Sequence, residues 1–189
     1  MKRIVFGASG ASGMPLAEAV LACLASISEL EIHIVVSAGA ELVLQEECGK
    51  NASWLTRYGH AVYGPEDMAA PMASGSWTHD GMIICPCSMS SLGAITNCAG
   101  SGLLHRAADV TLKERRPLVL VPRETPLNLV HIRNMATATE AGAIIMPFMP
   151  AFYTGDYSMQ AAMRQFAGRI LDILHIANDF CARWKENGR

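Results

Sequence analysis

The sequence predicts a doubly wound α/β domain: a Rossmann- or flavodoxin-like, mostly parallel sheet with helices on both faces. Three observations carry this. Short apolar runs alternate with helical patterns, without long linkers between them. The runs are near-continuously apolar, as strands buried on both faces are. The first run ends in a glycine-rich turn that leads straight into a helix. In order, "RIVF" (3–6) reads as a strand and 14–26 as a helix, followed by strand "EIHIVV" (31–36) and helix 39–47. The stretch 48–80 is the least regular and reads as loops over one end of the sheet. Strand "GMIIC" (81–85) then precedes helices at 88–96 and 103–115, and "PLVLV" (117–121) precedes a helix at 127–141. Strand "AIIM" (143–146) and a helix at 158–176 complete the pattern. No repeat, low-complexity tract or composition boundary interrupts it, so residues 1–189 read as one domain.

Hydrophobic residues make up 51% of the chain and charged residues 17%, with a formal net charge of −2. That balance gives no reason to expect nucleic acid or a membrane surface as partner. The longest apolar stretch, "AIIMPFMPAFY", is broken by Pro147 and Pro150 and is too short to span a bilayer. Only three residues separate Lys2 and Arg3 from the first glycine, which does not resemble a signal peptide, so a cytoplasmic protein is expected. The surplus of apolar residues points to subunit contacts and hence a homo-oligomer. The cysteines (Cys23, Cys48, Cys85, Cys87, Cys98, Cys181) lack finger spacing, and "CPC" stands without a second pair. They read as reduced, mostly buried thiols, with no metal expected.

In a doubly wound fold, ligands sit at the carboxyl ends of the strands. Those ends are 7–13, 37–40, 86–91, 122–126 and 147–153, all rich in Gly, Ser or Pro. The first, "GASGASG", is G-x-x-G-x-x-G rather than the dinucleotide G-x-G-x-x-G. Where a dinucleotide site needs an acidic residue at the end of strand two, this chain has Ser37. A mononucleotide therefore fits better than NAD, its phosphate meeting backbone amides and short hydroxyls. The second hydroxyl-rich turn, "CSMSS" (87–91), could hold the same phosphate, although Ser88 would also serve as an ordinary helix N-cap.

A second anion site is implied by "HRAADVTLKERRPLVLVPRETP" (105–126). Arg106 and Lys113 are seven apart and share a helix face. Arg123 and Glu124 follow a buried strand in a loop stiffened by Pro122 and Pro126. Cations aimed at a strand-end crevice suit a phosphate-bearing substrate, and a neighbouring carboxylate can move a proton. The plain alternative is a solvated helix with an Asp109–Lys113 pair. Tyr153 and Arg169 could complete the anion site.

These residues resemble the UbiX-like flavin prenyltransferases over essentially the whole chain. The likeness is carried by "GASGA" (7–11), "ASGS" (73–76), "PCS" (86–88), "RAADVTLKERRPLVLVPRETPL" (106–127), "GAIIMP" (142–147) and "PAFY" (150–153). The resemblance implies that the dimethylallyl group of dimethylallyl phosphate is joined to N5 and then C6 of reduced FMN, without a metal. The prenylated FMN would serve a UbiD-type decarboxylase. By similarity, Gly7, Ala8, Ser9, Ser37, Ser88, Met89, Ser90, Ser91 and Arg123 would hold FMN. Ser74, Gly75, Arg106, Lys113, Tyr153 and Arg169 would hold the substrate phosphate. Ser9 and Glu124 would exchange a proton with the leaving group, and Glu47 would assist proton loss at the second bond-forming step. Ser12 would keep only a capping role. The resemblance further implies a dodecamer with active sites between subunits.

The chain departs from the family where some members place a Trp before the "ASGS" stretch: that position is Met68, and Trp77 lies nine residues on. "AGSGLL" (99–104) lacks the Asn pair of some relatives. Two other readings are a non-catalytic FMN-binding subunit of a decarboxylase complex and a flavin-dependent cysteine decarboxylase. The Pro-x-Met-Asn motif of the latter is absent.

Overall fold

The computed structural model describes residues 1–185. Its strands are β1 (Lys2–Ala8), β2 (Leu30–Val36), β3 (Ala61–Tyr63), β4 (Gly81–Cys87), β5 (Leu118–Pro122) and β6 (Ile144–Ile145). They form one sheet of order β3-β2-β1-β4-β5-β6, with every pairing parallel. The helices are α1 (Met14–Ala25), α2 (Ala38–Cys48), α3 (Met89–Thr96), α4 (Leu103–Lys113), α5 (Leu129–Glu140) and α6 (Met159–Ile173). This is the doubly wound fold that the alternation of apolar runs predicts.

The two-residue strand period divides the core in two. Ile4, Phe6, Ile32, Ile34, Ile83 and Val121 point to one face, where they bury Val20 and Leu24 of α1, Leu44 of α2, and Phe166 and Ile170 of α6. Val5, Val35, Met82, Ile84, Leu118 and Leu120 point to the other, against Leu92 of α3 and Leu104, Ala107 and Ala108 of α4. Strands apolar on both sides are the expected consequence of covering both faces.

Four differences from the sequence reading have local causes. β3 lies inside the stretch expected to be loops; three half-buried residues on a sheet edge leave no readable period. α4 stops at Lys113 because Arg115 turns left-handed, with φ 59°, and the Arg116 amide bonds back to the Thr111 carbonyl. α6 ends at Ile173, three residues earlier than expected, with His175 likewise left-handed at φ 52°. Asp109 pairs with Arg106 at 2.6 Å, not with Lys113, whose partner is the adjacent Glu114.

Candidate active site

The strand order brings β1 beside β4, and the chain leaves them in opposite directions, opening a crevice at their carboxyl ends. Ser9, fully buried, sits at its floor. Its hydroxyl donates to the Pro86 carbonyl (3.0 Å) and accepts from the Ser88 amide (2.7 Å). That stitches the first loop to the second. Ser88 caps α3 by accepting from the Ser91 amide, and Ser37 caps α2 by accepting from the Ala40 amide. The amides at the first positions of both helices, Met89 and Ser90 among them, have no carbonyl within their own helix. Amides left free at a helix N-terminus are the kind of donor that an anion at the strand ends would use. Gly10 and Gly39 allow the loops to meet: a Cβ on Gly10 would lie 3.0 Å from the Gly39 backbone.

Beside this crevice a cleft of about 510 Å³ opens between α1, the ends of β4 and β5, and α6. Apolar walls come from Leu16, Val121, Phe148 and Met163, while Glu47 and Arg123 supply the charge. Gly13 heads α1 at φ 125°, a conformation that favours glycine, and offers no side chain to cap the helix. Glu47 does so instead, accepting from the amides of Gly13 (3.0 Å) and Met14 (2.8 Å). Partial burial pushes its carboxyl upward, but hydrogen bonds from Ser12, Gly13 and Met14, and the charge of Arg123, more than offset this and hold it below the ordinary carboxylate range. Ser12 therefore serves Glu47 and does not itself cap α1.

On the opposite sheet face, the irregular segment 65–79 runs as a strap along α4. The Leu103 amide donates to Pro65 O at one end, and Arg106 Nε to Ala73 O further along (3.0 Å). Gly75 packs so closely that a Cβ there would meet Glu114 Oε1 and lie 2.7 Å from Lys113 Nζ. Ser74, Gly75, Arg106 and Lys113 thus lie along one edge of α4. Met68 shares a hollow of about 190 Å³ with Arg106, Cys98 and His105. Trp77 is already engaged: the Arg3 guanidinium covers its ring at 4.6 Å and His33 meets it edge-on at 4.9 Å.

Tyr153 and Arg169 stand elsewhere. The Tyr153 hydroxyl accepts from Gln165 (3.3 Å), and its ring meets Trp184 edge-on at 5.2 Å. Arg169 pairs with Asp172 at 2.8 Å, and Arg183 shares that carboxylate at 3.0 Å. α6 covers the face of the sheet opposite α4, so a full sheet separates this pair from Arg106 and Lys113 within one chain.

The structure therefore brings together Ser9, Ser37, Ser88, Met89, Ser90, Glu47 and Arg123 around the strand ends. Glu124 is exposed in the loop beyond Arg123, its carboxylate accepting from the Thr125 amide at 3.1 Å. Gly7, Ala8 and Ser91, also expected at the flavin, lie deeper in their elements. Gly7 and Ala8 lie within β1, their backbones committed to pairing with β2. Ser91 turns inward, its hydroxyl between Ser88 Oγ (3.2 Å) and His105 Nε2 (3.3 Å). The sequence reading did not single out Gly39, Phe148 or Met163; the first two lie within the strand-end stretches 37–40 and 147–153, while Met163 sits on α6, which a search of strand ends does not reach.

The Flavoprotein family profile matches residues 1–175. Flavin prenyltransferase LpdB of Lactiplantibacillus plantarum is 43% identical over 185 residues, covering 98% of this chain and 99% of the relative. The crystal structure of AnUbiX (PadA1) in complex with FMN and dimethylallyl pyrophosphate superposes with a TM-score of 0.92 at 43% identity, covering 97% of each chain. A dodecameric FMN-dependent Ubix-like decarboxylase from Escherichia coli O157:H7 gives a TM-score of 0.92 at 37% identity, covering 96% of this chain and 98% of that one. With a Ser- and Gly-lined crevice at the strand ends and a full-length likeness to these proteins, the chain belongs to the Flavoprotein family, among its UbiX-type flavin prenyltransferases.

Proposed function

We propose that the protein joins the dimethylallyl group of dimethylallyl phosphate to N5 and C6 of reduced FMN, and that the product serves a UbiD-type decarboxylase. The observation that carries this is the apolar cleft of about 510 Å³ that opens beside two Ser-capped helix N-termini at the strand ends. Reduced FMN, as substrate, supplies the nucleophilic N5 and C6. Amides of Met89 and Ser90, with the hydroxyls of Ser37 and Ser88, hold its phosphate at two helix N-termini. The walls formed by Leu16, Phe148 and Met163 exclude water from the reacting allyl group. Arg106 and Lys113, with Tyr153 and Arg169, neutralise the departing phosphate, the work a metal does in other prenyl transfers. Ser9 and Glu124 exchange a proton with it. Glu47, fixed and ionised at the head of α1, accepts a proton at the second step.

Because the phosphate ligands lie on both sides of the sheet, one chain does not enclose a substrate; a neighbouring subunit supplies the missing half. The exposed side chains of Leu129, Val130 and Ile132 on α5, and of Phe152, Tyr157 and Met159, give such an assembly its apolar contacts. We read it as a dodecamer in the cytoplasm; no helix among the described residues is long and apolar enough to cross a membrane.

Anaerobic incubation with FMN, a reductant and dimethylallyl phosphate tests the reaction. Mass spectrometry should find flavin carrying one added prenyl unit. Unmodified FMN, beside a working enzyme of the family, sinks the proposal.

A further inference from the structure

Arg116 stands outside every site residue named above, at the foot of β5, yet its guanidinium makes three bonds to the strap. Nη2 donates to Gly75 O (2.9 Å), and Nη1 donates to Trp77 O (3.0 Å) and to His79 Nδ1 (3.0 Å). An arginine has no lone pair to offer, so His79 Nδ1 must be the acceptor and the ring proton must sit on Nε2. Nε2–H then donates to Thr111 Oγ1 (3.0 Å), whose own proton goes to Ala107 O on α4 (2.7 Å). His79 and Thr111 are buried, and the chain of bonds has one direction from Arg116 to the helix backbone. Burial, with the Arg116 charge beside it, pushes the His79 ring down to about 4, so it stays neutral and keeps this tautomer at physiological pH. One end of the device grips α4; the other grips the carbonyl of Gly75, next to Lys113.

We propose that Arg116, oriented by His79 and Thr111, is a positioning residue that sets the Ser74–Gly75 segment against Lys113 and so shapes the pocket for the prenyl donor's phosphate. The inference rests on the assignment of that segment to the substrate phosphate. Arg116 touches neither substrate directly. It acts on donor binding and leaves the flavin cradle, built from the strand ends of β1, β2 and β4, untouched.

The test compares Arg116→Met, Arg116→Lys, His79→Leu and His79→Asn with the parent protein. Three quantities are read: KM for dimethylallyl phosphate, kcat, and FMN affinity by flavin fluorescence. Dimethylallyl phosphate binding is also measured calorimetrically, so that the donor site is read without turnover. Arg116→Met and His79→Leu should raise KM and weaken donor binding by about tenfold, the loss of one or two good hydrogen bonds. FMN affinity should stay within about twofold. Asn at 79 keeps an acceptor for Arg116 and should recover most of the loss, while Lys at 116, unable to span three acceptors, should recover only part. Should Arg116→Met not fold, the His79→Leu and His79→Asn pair gives the same reading. Unchanged donor binding in Arg116→Met or His79→Leu, with the parent active, overturns the inference alone. So does an equal loss of FMN affinity, which would mark a general structural role. A parent protein that neither prenylates FMN nor binds the donor fails the underlying assignment.

Discussion

At Gly10 and Gly39 two loops cross with no side chain between them, and any Cβ would have to displace backbone rather than a flexible chain end. Gly10→Ala should therefore lower stability by about 1–3 kcal/mol, measured by denaturant unfolding, and weaken FMN binding in parallel. His79 makes a different prediction, in pH. Its folded pKa of about 4 lies below the ordinary 6.5, so the unfolded chain takes up a proton first. The stabilisation is complete above pH 6.5, declines as pH falls towards 4, and is gone below that. Urea midpoints of His79→Asn should lose this slope between pH 6.5 and 4, while the parent keeps it. The two residues also mark what a sequence can disclose. Ser9, Ser37, Ser88 and Arg123 were readable because each directly follows or ends an apolar strand, where the fold requires a ligand to bind. Arg116 and His79 were not: their partners are 41 and 32 positions away, across a strap without periodicity, and "KERR" reads equally as a solvated helix end.

At the scale of elements, α1 shows a helix whose cap comes from another helix. Gly13 gives the loop its left-handed turn and thereby forfeits a side-chain cap, and Glu47 of α2 fills the vacancy. Glu47→Ala should cost about 1 kcal/mol of stability at neutral pH, read by chemical denaturation rather than by activity. The carboxyl is held below its ordinary range, so its contribution is present at neutral pH and lost as pH falls through the acidic range; the parent's advantage over the variant should shrink there. The sheet and all six helices followed from apolar period and from Gly, Ser and Pro punctuation. β3 did not, because a half-buried edge strand of three residues has neither a continuous apolar run nor room for alternation. The strap escaped for the same reason: its order comes from α4, not from its own residues.

At the scale of the whole molecule, the exposed apolar side chains suit contacts with a neighbouring subunit, and the proposed phosphate set, split across the sheet, would need one to complete it. α5 leaves Leu129, Val130 and Ile132 exposed by 59%, 61% and 51%, with only Ala138 of the helix buried. Val130→Glu with Ile132→Glu should yield a smaller species by light scattering and lose prenyl transfer together with assembly. Retained assembly would remove α5 from the interface. The cations assigned to the phosphate have a further consequence. Arg106, Lys113 and Arg169 each already hold a carboxylate: Asp109, Glu114 and Asp172. On the proposed assignment, an incoming phosphate would exchange with resident counter-ions, as on a charged resin, rather than fall into a bare positive pocket. Once cut free, it would leave those same carboxylates within reach of their partners, so the grip on the leaving group would carry its own means of release.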